Sequence, residues 1–203
     1  MNFREWSESA NHAQRNWLDG PIPIEDVNEF IDIANLMPTK QNIQVYKLIA
    51  STNKEFNTFV YNNAIDTKLE NKHDHGGRFI RNSMVLAPLL FIYIIYTRLS
   101  NPNVKECDSY IGAGISSGAV ALAANAKGYK TGFCTCLKYD IVNELKEKYN
   151  IPLNLKDKMD LLALGIGKPD KSFKHNIVVQ YGLGTTFYAV ETHPNNPDYH
   201  LIK

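Results

Sequence analysis

Thr39, Lys40, Gln41, Asn42 and Gln44 crowd a hydroxyl, an ammonium and carboxamides into one short stretch directly after Pro38. Such groups donate and accept hydrogen bonds in several directions, which suits the polar rim of a bound molecule. The plainer reading is a polar connector between two elements, where these residue types usually occur. Cys134 and Cys136, two apart in YKTGFCTCL, offer a nucleophilic thiol or half of a metal site. No partners at metal spacing accompany them, and cysteine is more often a small buried hydrophobe. His73, Asp74 and His75 also invite a metal, but no further ligand cluster supports it, and glycine-flanked polar histidines are usually solvated. Gly112, Gly114 and Gly118 imitate a dinucleotide fingerprint. That reading fails on context, because the preceding residues 104–110 are polar and carry no convincing strand.

The elements that must hold these groups follow from hydrophobic spacing. PIEDVNEFIDIANLM reads as an amphipathic helix with Pro23 at its first position, Glu25 and Asp26 near the positive end of the dipole, and Ile24, Val27, Ile31 and Ala34 on one face. Pro38 ends it, and Val45 to Ser51 reads as a strand. Residues 2–13 read as a first helix with Phe3, Trp6 and Ala10 in register. Lys54 to Ile65 is expected to be a helix with Phe56, Phe59 and Val60 inward, followed by the polar loop LENKHDHGG, which suits a mobile lid. A buried strand is expected from Leu89. Ile111 to Gly128 is a helix dense in Gly, Ala and Ser, which permits close approach of another backbone. Tyr129 to Leu137 reads as strand running into a loop, Lys138 to Tyr149 as a helix with Ile141, Val142 and Leu145 inward, and Leu161 to Gly167 as a buried strand. The lysine-rich run 168–174 follows, and the tail from Tyr181 to Lys203 shows no strong period.

In this order the pieces resemble the nitroreductase family, dimeric flavoproteins that bind FMN. The resemblance rests on Ile-Pro-x-Glu-Asp, a helix ending in Ala-x-x-x-Pro-Thr, then x-x-Asn-x-Gln and a strand. Upstream, Gln14-Arg15-Asn16-Trp17 is similar to the end of the family's Arg-x-Ser-x-Arg/Lys-x-aromatic segment. Downstream, the small-residue helix ending at Gly128, the Thr131 to Cys136 strand and Leu161 to Gly167 fall in the family's order, so the likeness spans most of the chain.

The resemblance implies an α+β sandwich, a central mostly antiparallel sheet flanked by helices, in a homodimer with FMN at the interface. It puts Arg15 at the flavin's N1 and C2 carbonyl edge, where a fixed positive charge favours the anionic reduced ring. Asn11 and Ala13 depart from the family's first Arg and its Ser, so the phosphate must use other groups: His12, Arg78 or Arg81, and Lys171 with Lys174 from the basic C-terminal segment, with Lys40 close by to help it or to attract an anionic substrate; Gln14, beside Arg15, is also expected at the cofactor. Pro38, Thr39, Lys40 and Asn42 are expected at the flavin's pyrimidine rim and ribityl hydroxyls, with Asn42 on the family's most regular position. Cys134 and Thr135 supply small groups against the ring. No catalytic side chain and no metal ligand are implied, since the flavin carries the chemistry.

Composition narrows the alternatives. At 203 residues the chain is long enough for one substantial core, and a single domain over 1–203 is expected. With 22 basic against 21 acidic residues, no electrostatic footprint for nucleic acid or an anionic membrane is visible. The apolar run Met84 to Tyr96 is broken by Pro88 and falls short of the roughly 20 residues that span a bilayer. The N-terminal residues lack a signal-peptide core, so a cytoplasmic location is expected. Three cysteines, an odd count, suggest reduced thiols rather than a disulfide framework. The expected activity is transfer of hydride from NADH or NADPH through flavin N5 to an electron-poor acceptor such as a nitroaromatic or quinone. The alternatives are a same-fold dehalogenase or flavin-cleaving enzyme, and a degenerate relative serving as a flavin- or nucleotide-binding or interaction protein.

Overall fold

The computed structural model describes residues 5, 16–64, 67–68, 79–80, 83–98, 103–135, 137–138, 140–152, 158–170, 177–181 and 186–190. Of the expected first helix only Glu5 is described, and it is helical; the His73–His75 loop lies outside these residues. The centre of the molecule is the strand Leu89–Tyr96, LLFIYIIY, which starts where the sequence places it and is buried along almost its whole length. A strand alternates its side chains between two faces, so a strand of large aliphatic and aromatic residues throughout needs cover on both. Leu89, Phe91, Tyr93 and Ile95 enter one core; Leu90, Ile92 and Ile94 enter the other.

Numbered in chain order, the strands are β1 Tyr46–Ser51, β2 Thr67–Lys68, β3 Phe79–Ile80, β4 Leu89–Tyr96, β5 Lys130–Cys134, β6 Met159–Gly167, β7 Ile177–Tyr181 and β8 Thr186–Val190. The helices are α1 Ile24–Leu36, α2 Lys54–Asn62, α3 Glu106–Ala126 and α4 Ile141–Tyr149. The main sheet has the order β1-β4-β6-β5 and every pairing in it is antiparallel. Helices α1 and α3 pack on one face and α2 and α4 on the other. The expected α+β sandwich, an antiparallel sheet flanked by helices, is therefore present. Strands β2 and β3 pair with each other, as do β7 and β8. The antiparallel β7–β8 pair corrects the tail reading: IVVQY and TFYAV carry a strand signal that the prolines further on obscure.

Other boundaries shift for local reasons. Pro23 is the N-cap rather than the first helical residue. In α1 the buried stripe is Val27, Phe30 and Ala34, while Ile24 is 61% exposed. At helical pitch, positions 24 and 31 lie on the flank of that stripe. Helix α3 begins at Glu106, earlier than expected, because Lys105 and Asp108 close a capping interaction in which Asp108 accepts from the Lys105 amide at 2.9 Å. In α2, Phe56 and Val60 are buried but Phe59 is only half-buried, and buried Asn57 donates to the Ala87 carbonyl at 2.9 Å. The expectation of reduced thiols also needs correction. Cys134 is disulfide-bonded, and Cys107 is free and exposed. An odd count leaves room for one pair and one thiol.

The α1–α3 layer is tied at its end by Asp26, which accepts from Lys127 Nζ at 2.7 Å and from the Tyr129 hydroxyl at 2.6 Å. The Lys127 and Tyr129 hydrogen bonds hold the Asp26 carboxyl below its ordinary value of 3.8, while burial and Asp26 push the Tyr129 phenol up to about 12. A carboxyl whose pKa falls on folding contributes stability above its unfolded pKa and loses that contribution as pH drops through the folded one. Asp26→Asn is therefore expected to lower Tm at pH 7, with the gap from wild type narrowing as pH falls below 3.8 in a thermal-melt series.

Candidate functional site

Residues Pro38 to Gln44 form a tight loop at the start of β1, and its geometry begins one turn back in α1. In an α-helix the amide of residue 38 would bond the carbonyl of Ala34, but Pro38 has no amide hydrogen. Met37 is accordingly extended, with ψ 138°, and the helix stops. The orphaned Ala34 carbonyl accepts from the Tyr46 hydroxyl at 2.7 Å and from Ser116 Oγ at 3.0 Å. Beyond Pro38 the chain closes on itself: Thr39 Oγ1 donates to the Ile43 carbonyl at 2.8 Å, the Asn42 amide to Thr39 O and the Ile43 amide to Lys40 O, both at 3.1 Å.

Gln41 and Asn42 both occupy the left-handed region, with φ of 54° and 56°. Non-glycine residues rarely adopt it, and two in succession turn the loop sharply outward. Lys40, Gln41, Asn42 and Gln44 are exposed, so the carboxamides and the ammonium are presented to solvent while Thr39 faces the body. Gly112 of α3 makes that packing feasible. A Cβ there would lie 2.7 Å from Val45 Cγ2 and 3.3 Å from Thr39 Cγ2. Gly114 and Gly118, grouped with Gly112 in the sequence, have nothing within 4 Å of a Cβ. They face outward between Ile111 and Ile115, which are 58% and 43% exposed.

The other expected site residues fall elsewhere. Cys134 and Thr135 end β5, the far edge of the main sheet from β1, three strand spacings or ~14 Å across. β1 starts beside Ile95, whereas β5 ends at Cys134, level with Ile92 halfway along β4, and heads toward the same end of the sheet. His12, Gln14, Arg15, Arg78, Arg81, Lys171 and Lys174 lie outside the described residues. Two segments that lead to them are described, and they pair: Trp17 bridges Pro169, the Leu18 amide donates to Lys168 O at 2.9 Å and the Asp170 amide to Asn16 O at 3.1 Å. Gly167 lets Trp17 in, because a Cβ there would sit 3.0 Å from the ring and 2.7 Å from Pro88. This pairing follows the C-terminal end of β6, beside the start of β4. The Pro38–Gln44 loop lies at the end of β4, roughly 23 Å away along an eight-residue strand.

Sequence reasoning missed a cleft of about 1050 Å³ beside this pairing, lined among others by Trp17, Lys54, Asn57, Tyr61, Pro88 and Asp170. Trp17 Nε1 and Asn57 Oδ1, in its walls, are buried without a hydrogen-bond partner. The available signal was Asn57 itself, a carboxamide at an inward position of an amphipathic helix. Among the described residues no group of three or more His, Cys, Asp or Glu is arranged to hold a metal ion, and no helix is long and apolar enough to cross a membrane.

No protein-family model matches the chain, nor does any curated protein sequence. Solved structures do match. A nitroreductase family protein from Clostridium novyi NT superposes with a TM-score of 0.63 at 23% identity, over 85% of this chain and 87% of that one. The chain has the nitroreductase fold. A candidate NAD(P)H:FMN oxidoreductase from Staphylococcus epidermidis gives 0.64 at 13% identity, covering 87% and 91% of the two chains. An FMN-dependent nitroreductase from Clostridium difficile R20291 gives 0.56 at 19%, covering 82% and 87%. Within this fold, Gly112 is the position on which the seating of the polar loop most directly depends. Gly112→Ala is expected to destabilise by ~1–3 kcal/mol in denaturant titration, despite the better helix propensity of alanine. Gly118→Ala, with open space for its methyl group, is expected to show no comparable loss.

Proposed function

We propose that this chain, as one domain over residues 1–203, is an FMN-dependent oxidoreductase. It would take hydride from NADH or NADPH and pass it to an electron-poor acceptor such as a nitroaromatic or quinone. Bound FMN supplies the redox chemistry, accepting and returning hydride at N5. The observation that carries the reading is the antiparallel pairing of Asn16–Leu18 with Lys168–Asp170. It joins, on a nitroreductase fold, the two segments next to Arg15 and to Lys171 and Lys174, the groups expected at the flavin edge and the phosphate.

The residues present fit such a cofactor. Exposed Lys40, Gln41 and Asn42, on a sharply turned backbone, offer donors and acceptors to a polar rim and hydroxylated chain. In our reading Arg15 keeps positive charge beside the flavin's N1 edge. Lys171 and Lys174, with His12, Arg78 or Arg81, hold the phosphate, Gln14 lies beside Arg15 at the cofactor, and Cys134 and Thr135 lie against the ring. No side chain of the chain is assigned a proton-transfer role.

The separation of these parts supports a homodimer. Roughly 23 Å of strand lies between the polar loop and the paired basic segments. One cofactor reached by both is best shared between two copies, the loop of one facing the basic segments of the other. Helix α3 offers a contact surface: among the described residues its Ile111, Gly114, Ile115 and Gly118 side is not covered.

Purified, dialysed protein is expected to show flavin absorption bands that bleach on anaerobic addition of NADH or NADPH. Arg15→Ala is expected to weaken FMN binding or lower the midpoint potential. A colourless protein that takes up no added FMN would overturn the oxidoreductase reading and favour a binding or interaction role. Gly118→Arg, which meets open space in the chain, is expected to give a monomer by sedimentation with loss of FMN. A flavin-loaded dimer of that variant would refute α3 as the interface.

A further inference from the structure

We propose that Tyr46 and Ser116 are positioning residues for the Pro38–Asn42 loop, acting through the Ala34 carbonyl. The proposal deepens the flavin reading of that loop and rests on it for its functional consequence. A helix that ends at a proline leaves a carbonyl without its intrahelical donor. Ala34 is fully buried, so water does not replace that donor, and an unpaired buried carbonyl is costly. Two hydroxyls converge on it instead, from elements far apart in sequence: Tyr46 begins β1 and Ser116 lies mid-way along α3.

The direction of each bond follows from the count of hydrogens. Ser116 spends its single hydroxyl hydrogen on Ala34 O, so in its 3.3 Å contact with the Tyr93 hydroxyl it must accept. Tyr93, from the central strand, is thus the donor at the base of a chain running Tyr93 to Ser116 to Ala34. Its phenol is raised well above the ordinary range by burial, which keeps it protonated and able to donate. The Tyr46 and Tyr93 rings pack edge to face with centroids 5.2 Å apart, which fixes both hydroxyls.

The result is a clamp with α3 on one side and the sheet on the other. Ser116 holds the end of α1, and Gly112, one turn earlier on the same face of α3, receives Thr39. Both contacts bracket Pro38, so α3 and β1 anchor the base of a loop whose own hydrogen bonds shape its tip around Lys40, Gln41 and Asn42. Loss of either hydroxyl leaves Ala34 half-satisfied and lets the loop swing about Met37.

The test uses the full chain. Trypsin cleavage of the Lys40–Gln41 bond, followed by mass spectrometry in FMN-free protein, reads loop opening directly. Tyr46→Phe and Ser116→Ala are each expected to raise its rate about fivefold, the factor for one net hydrogen bond. With FMN, both are expected to weaken binding by about the same factor and shift the bound flavin's visible band. Leu145→Ala, a buried residue under the opposite face of the sheet, is the control for general destabilisation and should change neither readout at matched loss of Tm. The effect on FMN affinity of Tyr46→Phe should also be non-additive with Asn42→Ala. Unchanged cleavage in both hydroxyl variants, or equal acceleration by the Leu145 control, overturns the proposal. Wild-type protein that takes up no FMN overturns the flavin reading alone, because the proteolysis still decides whether the hydroxyls hold the loop.

Discussion

An eight-residue strand built of large aliphatic and aromatic residues and buried on both faces, β4, is the constraint from which the other layers follow. Left with either face in water it would expose several large aliphatic or aromatic side chains, at ~1.5–3 kcal/mol for each that burial would otherwise remove. The chain answers with helices on both sides, and each helix pair has the apolar stripe its face demands. Phe30, Val120 and Ala124 meet the odd-numbered residues of β4; Phe56, Ile141 and Leu145 meet the even-numbered ones. Glycines appear where this packing is tightest. At Gly165 of β6 a Cβ would stand 2.5 Å from the Met84 carbonyl, so no other residue lets the 83–86 turn lie so close.

The polar loop inherits its geometry from that packing. Pro38 breaks α1 and removes one hydrogen bond, and the core supplies the replacement from Tyr46, Ser116 and, behind it, Tyr93. These hydroxyls sit in an otherwise apolar cluster, where a polar group without a partner is penalised and a satisfied one fixes geometry. The loop can therefore present its carboxamides outward on strained left-handed backbone, because the residues before and after it are held by the two layers.

The site elements are dispersed over the sheet. The polar loop lies at one end of the sheet, β5 stops at the opposite edge about halfway along β4, and the Trp17–Pro169 pairing lies beyond the other end. Their dispersal within one chain gives the uncovered side of α3 its interest. Its Ala113, Val120 and Ala124 side packs inward, while Ile111 and Ile115 remain exposed.

Much of the layout was legible in the residues. Periodicity gave α1, α2 and α4 to within a few positions, unbroken hydrophobicity gave β4 and β6, and Pro38 marked the polar loop, because each of these signals is local. The misreadings came where the decisive partner was distant. Ile24 has an apolar spacing, yet lies on the flank of a stripe whose centre is set by where α3 sits. Gly112, Gly114 and Gly118 look alike in sequence and are separated only by what each would touch. Asn57 shows its role only once Ala87 is found beside it. The sequence by itself determined most of the main-sheet strands and their flanking helices, their order and the end of α1 at Pro38, since a proline lacks its amide wherever it is placed. Only the tertiary structure decided that Tyr46 and Ser116 answer the Ala34 carbonyl, and that Trp17 meets Pro169, because contacts between residues so far apart in the chain are chosen by packing rather than by any local preference.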